Sequence, residues 1–202
     1  MIALVDYGAG NLTSVKKAFA AVDADVFVPV AADALHRAAG IVVPGVGHFD
    51  ATRGLGADWM NRIREHIAAG RPLLGICLGM QWLFDASDEA PGLAGVGVFS
   101  GRCKRLAADG VSALKIPHVG WNTLSMCRPG WIADGVEDGT QVYFTHSYAA
   151  PLTDDVIASA EHGSRFAAIV ERGNVAGVQF HPEKSSDAGL RILRNFVRRT
   201  AP

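Results

Sequence analysis

The sequence predicts an α/β fold with a doubly wound, mostly parallel central sheet flanked by helices, and an additional antiparallel β portion in the C-terminal half. Strand patterns alternate with helical patterns as far as Phe84, which is typical of a parallel sheet covered on both faces. From residue 96 to residue 178 the patterns are mostly short strands, whose spacing suits antiparallel hairpins added to that sheet.

The N-terminal half contains apolar runs of strand length, each followed by a segment with helical periodicity. The run Ile2-Ala3-Leu4-Val5 is typical of a buried strand, and Met60, Ile63 and Ile67 form one apolar stripe of a helix. The predicted elements are strand 2–5, helix 12–22, strand 25–30, helix 33–39, strand 41–43, helix 59–69, strand 72–77 and helix 78–84.

The C-terminal half is predicted to be mainly strands and structured loops. Segment 85–91 is polar and rich in turn residues, while 116–122 and 145–148 hold aromatic, histidine and amide side chains typical of structured loops. Leu190, Leu193, Phe196 and Val197 have the spacing of a helix core. The predicted elements are strands 97–106, 113–116, 141–147, 156–161, 166–172 and 175–180, a hairpin turn at 171–174 and helix 186–199.

The composition predicts a single globular domain over residues 1–202. Of these 202 residues, 49% are hydrophobic and 19% are charged. The formal net charge of −1 gives no electrostatic footprint for nucleic acid or for an anionic membrane, so neither is expected as a partner.

The cysteines and the N-terminal residues indicate a cytoplasmic location. Cys77, Cys103 and Cys127 form no CxxC pair and cannot all pair with one another, which favours a reducing compartment. The first six residues have a strand pattern without a basic leader, and no apolar run approaches the roughly 18 residues of a membrane helix.

Cys77 lies in Gly75-Ile76-Cys77-Leu78-Gly79, between a predicted strand and a predicted helix. This is the sulfur counterpart of the Gly-x-Ser-x-Gly nucleophile elbow, in which glycines flank a tight bend that exposes the middle side chain. Unpaired N–H groups at a helix start favour a thiolate there. The pattern therefore indicates a nucleophile, although a lone cysteine at a strand end is also often a small buried hydrophobe.

A cysteine nucleophile needs a base, and the base needs a group that orients it. Among the seven histidines, only His181 has an acid two residues on across a proline, in His181-Pro182-Glu183. His36, His66 and His162 are predicted to be surface residues. No His/Cys spacing suggests a metal site, and no cofactor is expected.

A second loop leaves the predicted sheet at Pro44-Gly45-Val46-Gly47. In doubly wound sheets, ligands bind beyond the carboxyl ends of the strands, where the Cys77 loop also lies. The glycines let backbone N–H groups approach a substrate, so Val46 or Gly47 could donate one hydrogen bond of an oxyanion hole and Leu78 the other. The same residues also suit an ordinary tight turn.

Gly75-x-Cys77-Leu78-Gly79-x-Gln81, combined with His181-Pro182-Glu183, resembles the class I glutamine amidotransferases. The resemblance implies a Cys77-His181-Glu183 triad that releases ammonia from glutamine through a thioester. It also implies an oxyanion hole at Val46, Gly47 and Leu78. The implied glutamine-binding residues are Gly45, Gln81, His146, Ser147 and Tyr148.

Further loops carry a resemblance to one branch of that family. Asp6-Tyr7-Gly8-x-Gly10-Asn11-Leu12, the Pro44 loop, Ile116 to Asn122 and Thr145 to Tyr148 resemble glutaminase subunits of imidazole glycerol phosphate synthase, in histidine biosynthesis. The resemblance implies an obligate heterodimer with a separate (β/α)₈ cyclase subunit that receives the ammonia. The residues implied to contact the cyclase are Asn11, Trp121, Asn122, Tyr143 and Lys184.

Two alternative hypotheses remain open at this point. One is the glutaminase partner of another synthase, such as the one that makes pyridoxal phosphate, which has a similar triad. The other is a redox sensor or chaperone with a cysteine at the same elbow, in which His181 and Glu183 would have no role.

Overall fold

A central sheet of eight strands organises the chain in the computed structural model, which describes residues 1–107 and 114–201. The first five strands in the spatial order run parallel to their neighbours, and the last three are added antiparallel. The mostly parallel sheet and the antiparallel C-terminal portion are therefore confirmed. The order is β2 (Val26–Phe27), β1 (Ile2–Leu4), β3 (Gly40–Gly45), β4 (Leu73–Cys77), β13 (Val175–Val178), β12 (Ser164–Arg172), β11 (Val156–His162) and β8 (Ser125–Met126).

Helices cover both faces of this sheet because successive strand residues point to opposite sides. On one side, Leu4 and Val42 pack in a cluster with Phe19 and Phe196; on the other side, Ile41 packs in a cluster with residues of the second and third helices. The doubly wound arrangement is confirmed. The α-helices are α1 (Leu12–Ala20), α2 (Ala57–Ala68), α3 (Leu78–Trp82) and α4 (Ser186–Arg199).

Two smaller sheets extend the C-terminal half. One has three strands, in the order β10 (Tyr148–Ala149), β6 (Phe99–Arg105) and β5 (Phe84–Ser87). The other is an antiparallel pair, β7 (His118–Thr123) and β9 (Gln141–His146), whose register places His118 opposite His146 and Trp121 opposite Tyr143. The segment between β9 and β10 joins these two sheets and lies near the edge of the central sheet.

Several predicted boundaries were wrong where tertiary contacts override local pattern. Predicted helix 33–39 is a 3₁₀ helix, Ala32–Arg37, and predicted strand 25–30 is reduced to β2. Predicted helix 78–84 ends at Trp82, because the chain enters β5 and pairs with β6. The predicted loop 85–91 therefore begins as a strand.

Three predictions in the C-terminal half also need correction. The predicted loop 116–122 is mostly β7, which pairs with β9 along its whole length. The predicted strand 175–180 ends at Val178. In the predicted strand 113–116, Ala113 lies outside the described residues and residues 114–116 are not in a strand.

Three further 3₁₀ helices connect these elements: Phe49–Gly54, Trp131–Ala133 and Pro182–Lys184. Among the residues described, no helix combines the length and the apolar character required to cross a membrane.

His66 is a buried residue, so its prediction as a surface position was wrong. Its side chain lies under the C-terminal end of α2, where Nε2 donates a hydrogen bond to the carbonyl of Pro72, 3.0 Å away. Burial disfavours the imidazolium and lowers the pKa of His66 to about 4. The neutral ring thus anchors α2 to the start of β4.

This pKa shift predicts a loss of stability in mild acid. Because the pKa of His66 is lower in the folded state than the ordinary value, about 6.5, the unfolded chain binds the proton first as pH falls. The stability from neutral His66 is complete above about pH 6.5 and is lost as pH falls toward 4. Between about pH 7.5 and pH 5, His66 should contribute a loss of about 2 kcal/mol in the free energy of unfolding.

Urea unfolding at the two pH values measures this loss. His66→Gln keeps a donor for the Pro72 carbonyl but does not titrate. Between pH 7.5 and pH 5, the free energy of unfolding of this variant should therefore fall by about 2 kcal/mol less than that of the wild type. His36→Gln, at an exposed histidine, is the control for the replacement of histidine by glutamine. Equal pH dependence in His66→Gln and the wild type would contradict the assignment.

Candidate active site

Cys77 occupies a strained turn between β4 and α3. Its backbone has φ 53° and ψ −106°, in a region that residues with a β-carbon rarely adopt. The flanking glycines are required by space: a β-carbon at Gly75 would lie 2.7 Å from the carbonyl oxygen of Gly79, and one at Gly79 would lie 1.8 Å from that of Val43. The turn leaves the Cys77 side chain at the carboxyl edge of the central sheet, 5% exposed.

His181 reaches this edge because β13 is the parallel neighbour of β4. The pairing ends with Val178 opposite Ile76, and the chain then continues to His181. The His181 N–H donates to the carbonyl of Tyr143 at 2.9 Å, which fixes the backbone. The 3₁₀ helix that starts at Pro182 turns Glu183 back, so that Nδ1 of His181 donates to Glu183 Oε1 at 2.8 Å.

Both members of this His-Glu pair are buried, with side chains 2% and 5% exposed. Burial opposes the charge on the imidazole, but the interactions with Cys77 and Glu183 outweigh it and raise the pKa of His181. Nδ1 of His181 is bonded to Glu183, whereas Nε2 has no hydrogen-bond partner among the described residues. Sulfur, imidazole and carboxylate therefore form one electrostatic unit.

The loop at the end of β3 lies beside the elbow, since Gly45 pairs in register with Cys77. The Val46 N–H donates to the carbonyl of Ala9 at 3.1 Å, so this amide is already used within the protein. Gly47 is exposed with a φ of +95°. Leu78 begins α3, where the first N–H groups have no partner within the helix.

A cavity of about 240 Å³ lies over Cys77. It is lined by the β3 loop, the elbow and the segment around β10, and it brings together these residues predicted from the sequence: Gly47, Cys77, Leu78, Gln81, His146, Ser147 and Tyr148. Its volume is below the range of about 300–1,000 Å³ of sites for drug-sized ligands. The cavity therefore suits a ligand of amino-acid size.

Of the Gln81 side-chain amide, only the oxygen has no hydrogen-bond partner within residues 1–107 and 114–201. Its Nε2 donates to the carbonyl of Tyr148 at 2.7 Å and to Gln179 Oε1 at 3.1 Å, which uses both N–H bonds. The Nε2 of Gln179 lies 3.6 Å from the Cys77 sulfur and donates to it. The Gln81 Oε1 atom is therefore an acceptor available to a bound ligand.

Sequence reasoning missed two residues beside Cys77. Gln179 has 0% exposure. Gln179 lies two residues before His181 in the sequence, which could have indicated a place in the site. The residues around it, however, have the pattern of an ordinary strand. The Tyr7 hydroxyl is buried without a hydrogen-bond partner among the described residues, close to where a β-carbon on Gly45 would lie. Burial and the charge of Cys77 raise the pKa of Tyr7. Nothing local in the sequence indicated that contact.

Comparison with known proteins identifies the family. The model of the class I glutamine amidotransferases matches residues 3–200. The chain belongs to this family. The imidazole glycerol phosphate synthase subunit HisH of Moorella thermoacetica is 45% identical, covering 96% of this chain and 93% of the relative. HisH of Gloeobacter violaceus is 47% identical, covering 99% and 90%.

Solved structures share the amidotransferase fold. A glutamine amidotransferase crystal structure superposes with a TM-score of 0.77 at 18% identity, covering 99% of both chains. The structure of PurLQS from Thermotoga maritima has a TM-score of 0.74 at 18% identity, covering 98% of this chain and 97% of that one. At these identities the likeness concerns the fold.

Three of the residues predicted to contact a partner form one surface on this amidotransferase. The Trp121 ring is 52% exposed and lies edge-on to Tyr143, with 6.1 Å between centroids. Lys184 Nζ lies 5.6 Å from the centre of the Tyr143 ring. We call Trp121, Tyr143 and Lys184 the Trp121 surface.

The other two predicted contact residues differ from these three. Asn122 is partly buried, and its side-chain amide donates to the carbonyl of Glu161 at 2.8 Å. Asn11 is exposed at the start of α1, where its side chain accepts from the Ser14 N–H.

The close contact at Gly79 predicts a large effect of a single methyl group. Gly79→Ala should lower the free energy of unfolding by about 3 kcal/mol or more, because the added carbon meets the Val43 carbonyl rather than a flexible side chain. Gly92→Ala is the matched control, since a β-carbon there has nothing within 4 Å. Urea unfolding with equal midpoints for the two variants would contradict the prediction.

Proposed function

We propose that this chain is the glutaminase subunit of an imidazole glycerol phosphate synthase, which hydrolyses glutamine to glutamate and ammonia in histidine biosynthesis. The observation that carries the proposal is the Cys77-His181-Glu183 unit beneath an amino-acid-sized cavity. The HisH relatives, 45% and 47% identical over nearly the full chain, support this branch over a pyridoxal phosphate glutaminase or a redox protein.

The reaction starts with the Cys77 thiolate, which attacks the carboxamide carbon of glutamine. His181, charged through its raised pKa, donates a proton to the leaving nitrogen, and ammonia departs as the thioester forms. Neutral His181 then removes a proton from water, which attacks the thioester and releases glutamate and the Cys77 thiolate. Glu183 fixes the tautomer and stabilises the imidazolium through its bond to Nδ1.

The negative oxygen of each tetrahedral intermediate needs backbone donors. The Leu78 N–H supplies one of them, and the loop containing Val46 and Gly47 supplies the other. Because the Val46 N–H is bonded to the Ala9 carbonyl, its use in the hole requires that bond to break and the peptide to turn. If Val46 is the donor, the hole is incomplete in this conformation.

The substrate's amino-acid head binds opposite the nucleophile. The Gln81 Oε1 accepts from the α-ammonium group, since both N–H bonds of that side chain are already used. The backbone of His146, Ser147 and Tyr148 holds the remainder of the head. Gly45 remains a predicted contact of the head: the Tyr7 hydroxyl and the Leu78 side chain fill the space that a β-carbon would take there, so only its backbone can face the substrate.

A separate cyclase subunit, a (β/α)₈ barrel in the implied heterodimer, receives the ammonia. The Trp121 surface, with Asn11 and Asn122, is the proposed contact area, and an exposed tryptophan beside a tyrosine and a lysine is typical of interface anchors. The three cysteines are free, which supports a reducing compartment such as the cytoplasm. The single domain over 1–202 stays a prediction.

Replacing Cys77 should separate ammonia release from glutamine from synthesis with free ammonium. Cys77→Ala is expected to lower ammonia release from glutamine by about 10⁴-fold or more, because no other group can form the thioester. Synthesis from free ammonium with the added cyclase should continue. Cys127→Ala, at an exposed cysteine, is the control and should retain both activities. Equal glutaminase rates in Cys77→Ala and the wild type would refute the nucleophile assignment.

The engaged Val46 amide predicts that the isolated chain is a slow glutaminase. One missing oxyanion donor typically costs about 10²–10³ in rate, so the turnover of glutamine should rise by about that factor when the cyclase is added. Ammonia release, measured with and without the cyclase at saturating glutamine, tests this. A turnover that does not change on addition of the cyclase would rule out an incomplete hole.

A further inference from the structure

A continuous series of hydrogen bonds joins Asn122 of β7 to the carbonyl of Tyr148. Asn122 Nδ2 lies 3.3 Å from His118 Nε2, His118 Nδ1 lies 3.1 Å from His146 Nε2, and His146 Nδ1 lies 3.0 Å from the Tyr148 carbonyl oxygen. His118 and His146 are buried, with exposures of 3% and 6%. The His118 side chain and its hydrogen bonds have no part in the reaction steps above.

The direction of every bond in this series follows from its ends. A carbonyl only accepts, so Nδ1 of His146 carries the proton and Nε2 accepts. Burial lowers the pKa of His118 to about 4 and that of His146 to about 3, so both rings are neutral near pH 7. His118 therefore donates through Nδ1 and accepts through Nε2, and Asn122 donates to it.

The same carbonyl continues the series toward the nucleophile. Tyr148 O also accepts from Gln81 Nε2, which donates in turn to Gln179, and Gln179 donates to the Cys77 sulfur at 3.6 Å. Five side chains and one carbonyl thus form a single path, which we call the amide–imidazole chain. Its members are Asn122, His118, His146, the Tyr148 carbonyl, Gln81 and Gln179.

The His118 ring is held in place by packing as well as by hydrogen bonds. It stacks on Phe144 at 4.9 Å and on His162 at 4.1 Å between ring centroids, with interplanar angles of 24° and 19°. Burying polar side chains without partners costs free energy, whereas a fully bonded series is rigid and has one arrangement. The hydrogen bonds and the ring packing together therefore favour one arrangement of the path that ends at the Cys77 sulfur.

We propose that His118 and Gln179 are positioning residues of the glutaminase reaction: through the amide–imidazole chain they fix the Tyr148 carbonyl and Gln81 beside the substrate and orient the Cys77 sulfur. Gln179 stabilises the thiolate directly by its N–H. His118 acts through His146 and the carbonyl. Asn122, next to the exposed Trp121, is the surface end of the chain. The inference rests on the proposed glutaminase function.

The rate at which iodoacetamide alkylates Cys77 at fixed neutral pH, followed by mass spectrometry, reports on the sulfur without requiring glutamine turnover. Gln179→Met removes the donor but keeps the length, and should slow alkylation about tenfold, the effect expected for a hydrogen bond to a charged group. His118→Phe keeps the ring stacking but removes both hydrogen bonds, and should also slow alkylation. His118→Gln, which retains a donor and an acceptor, should recover most of the rate.

The double variant decides whether the two residues act together. If they act through one chain, His118→Phe with Gln179→Met should be about as slow as the slower single variant; multiplied effects would show independence and overturn the proposal. His66→Phe is the matched control, a buried histidine outside the chain, and should leave the alkylation rate unchanged. An equal slowing in His66→Phe would assign the effect to general loss of stability and overturn the proposal.

Further measurements distinguish a failure of the proposed glutaminase function from a failure of the positioning proposal. Ammonia release with the cyclase present should fall in His118→Phe and recover in His118→Gln; an unchanged rate in His118→Phe would also overturn the proposal. If wild-type protein shows no glutaminase activity, the proposed function fails, while the alkylation rates still test the chain. If His118→Phe does not fold, Asn122→Ala takes its place in the double variant, because it removes the donor at the surface end.

Discussion

The backbone of Cys77 depends on chain segments that lie closer together than side chains normally allow. Gly79 packs against the carbonyl of Val43, and Gly75 packs against the backbone of α3. These contacts hold α3 over the end of β4 and keep Cys77 at its positive φ. Such a conformation costs about 1–3 kcal/mol at a residue with a β-carbon, so the surrounding packing has to impose it. The direction of the sulfur follows from this packing.

Parallel register then assembles the rest of the site around the sulfur. Two strands flank β4 and end at nearly the same level, so that Gly45 lies on one side of Cys77 and the chain leading to His181 on the other. The carbonyl of His181 accepts from the Ser185 hydroxyl at 2.7 Å, which itself accepts from the N–H of Tyr143. His181 is therefore fixed by its backbone as well as by Glu183, and Tyr143, part of the Trp121 surface, is one hydrogen bond away from it.

The site also places polar groups where a core is usually apolar. Gln179, His118 and His146 are buried in the same molecule whose strands are otherwise lined by valine, isoleucine and alanine. Burial keeps the two imidazoles neutral near pH 7, while interactions with Cys77 and Glu183 raise the pKa of His181. Histidines in one region thus differ in pKa because their neighbours differ: carbonyl and imidazole groups for His118 and His146, and Cys77 and Glu183 for His181.

The sequence by itself determined the fold class, the elbow motif and the pairing of His181 with Glu183, because these depend on local periodicity, on glycine spacing and on a turn of three residues. It did not determine that residues 118–123 form a strand or that His66 is buried, since both depend on contacts with residues distant in the chain. Only the tertiary structure decided that the Val46 amide bonds to Ala9 and that Gln179 reaches the sulfur. Neither the orientation of a peptide group nor the burial of an amide side chain produces a periodic pattern in the sequence. Both depend on contacts with residues that are far away in the chain.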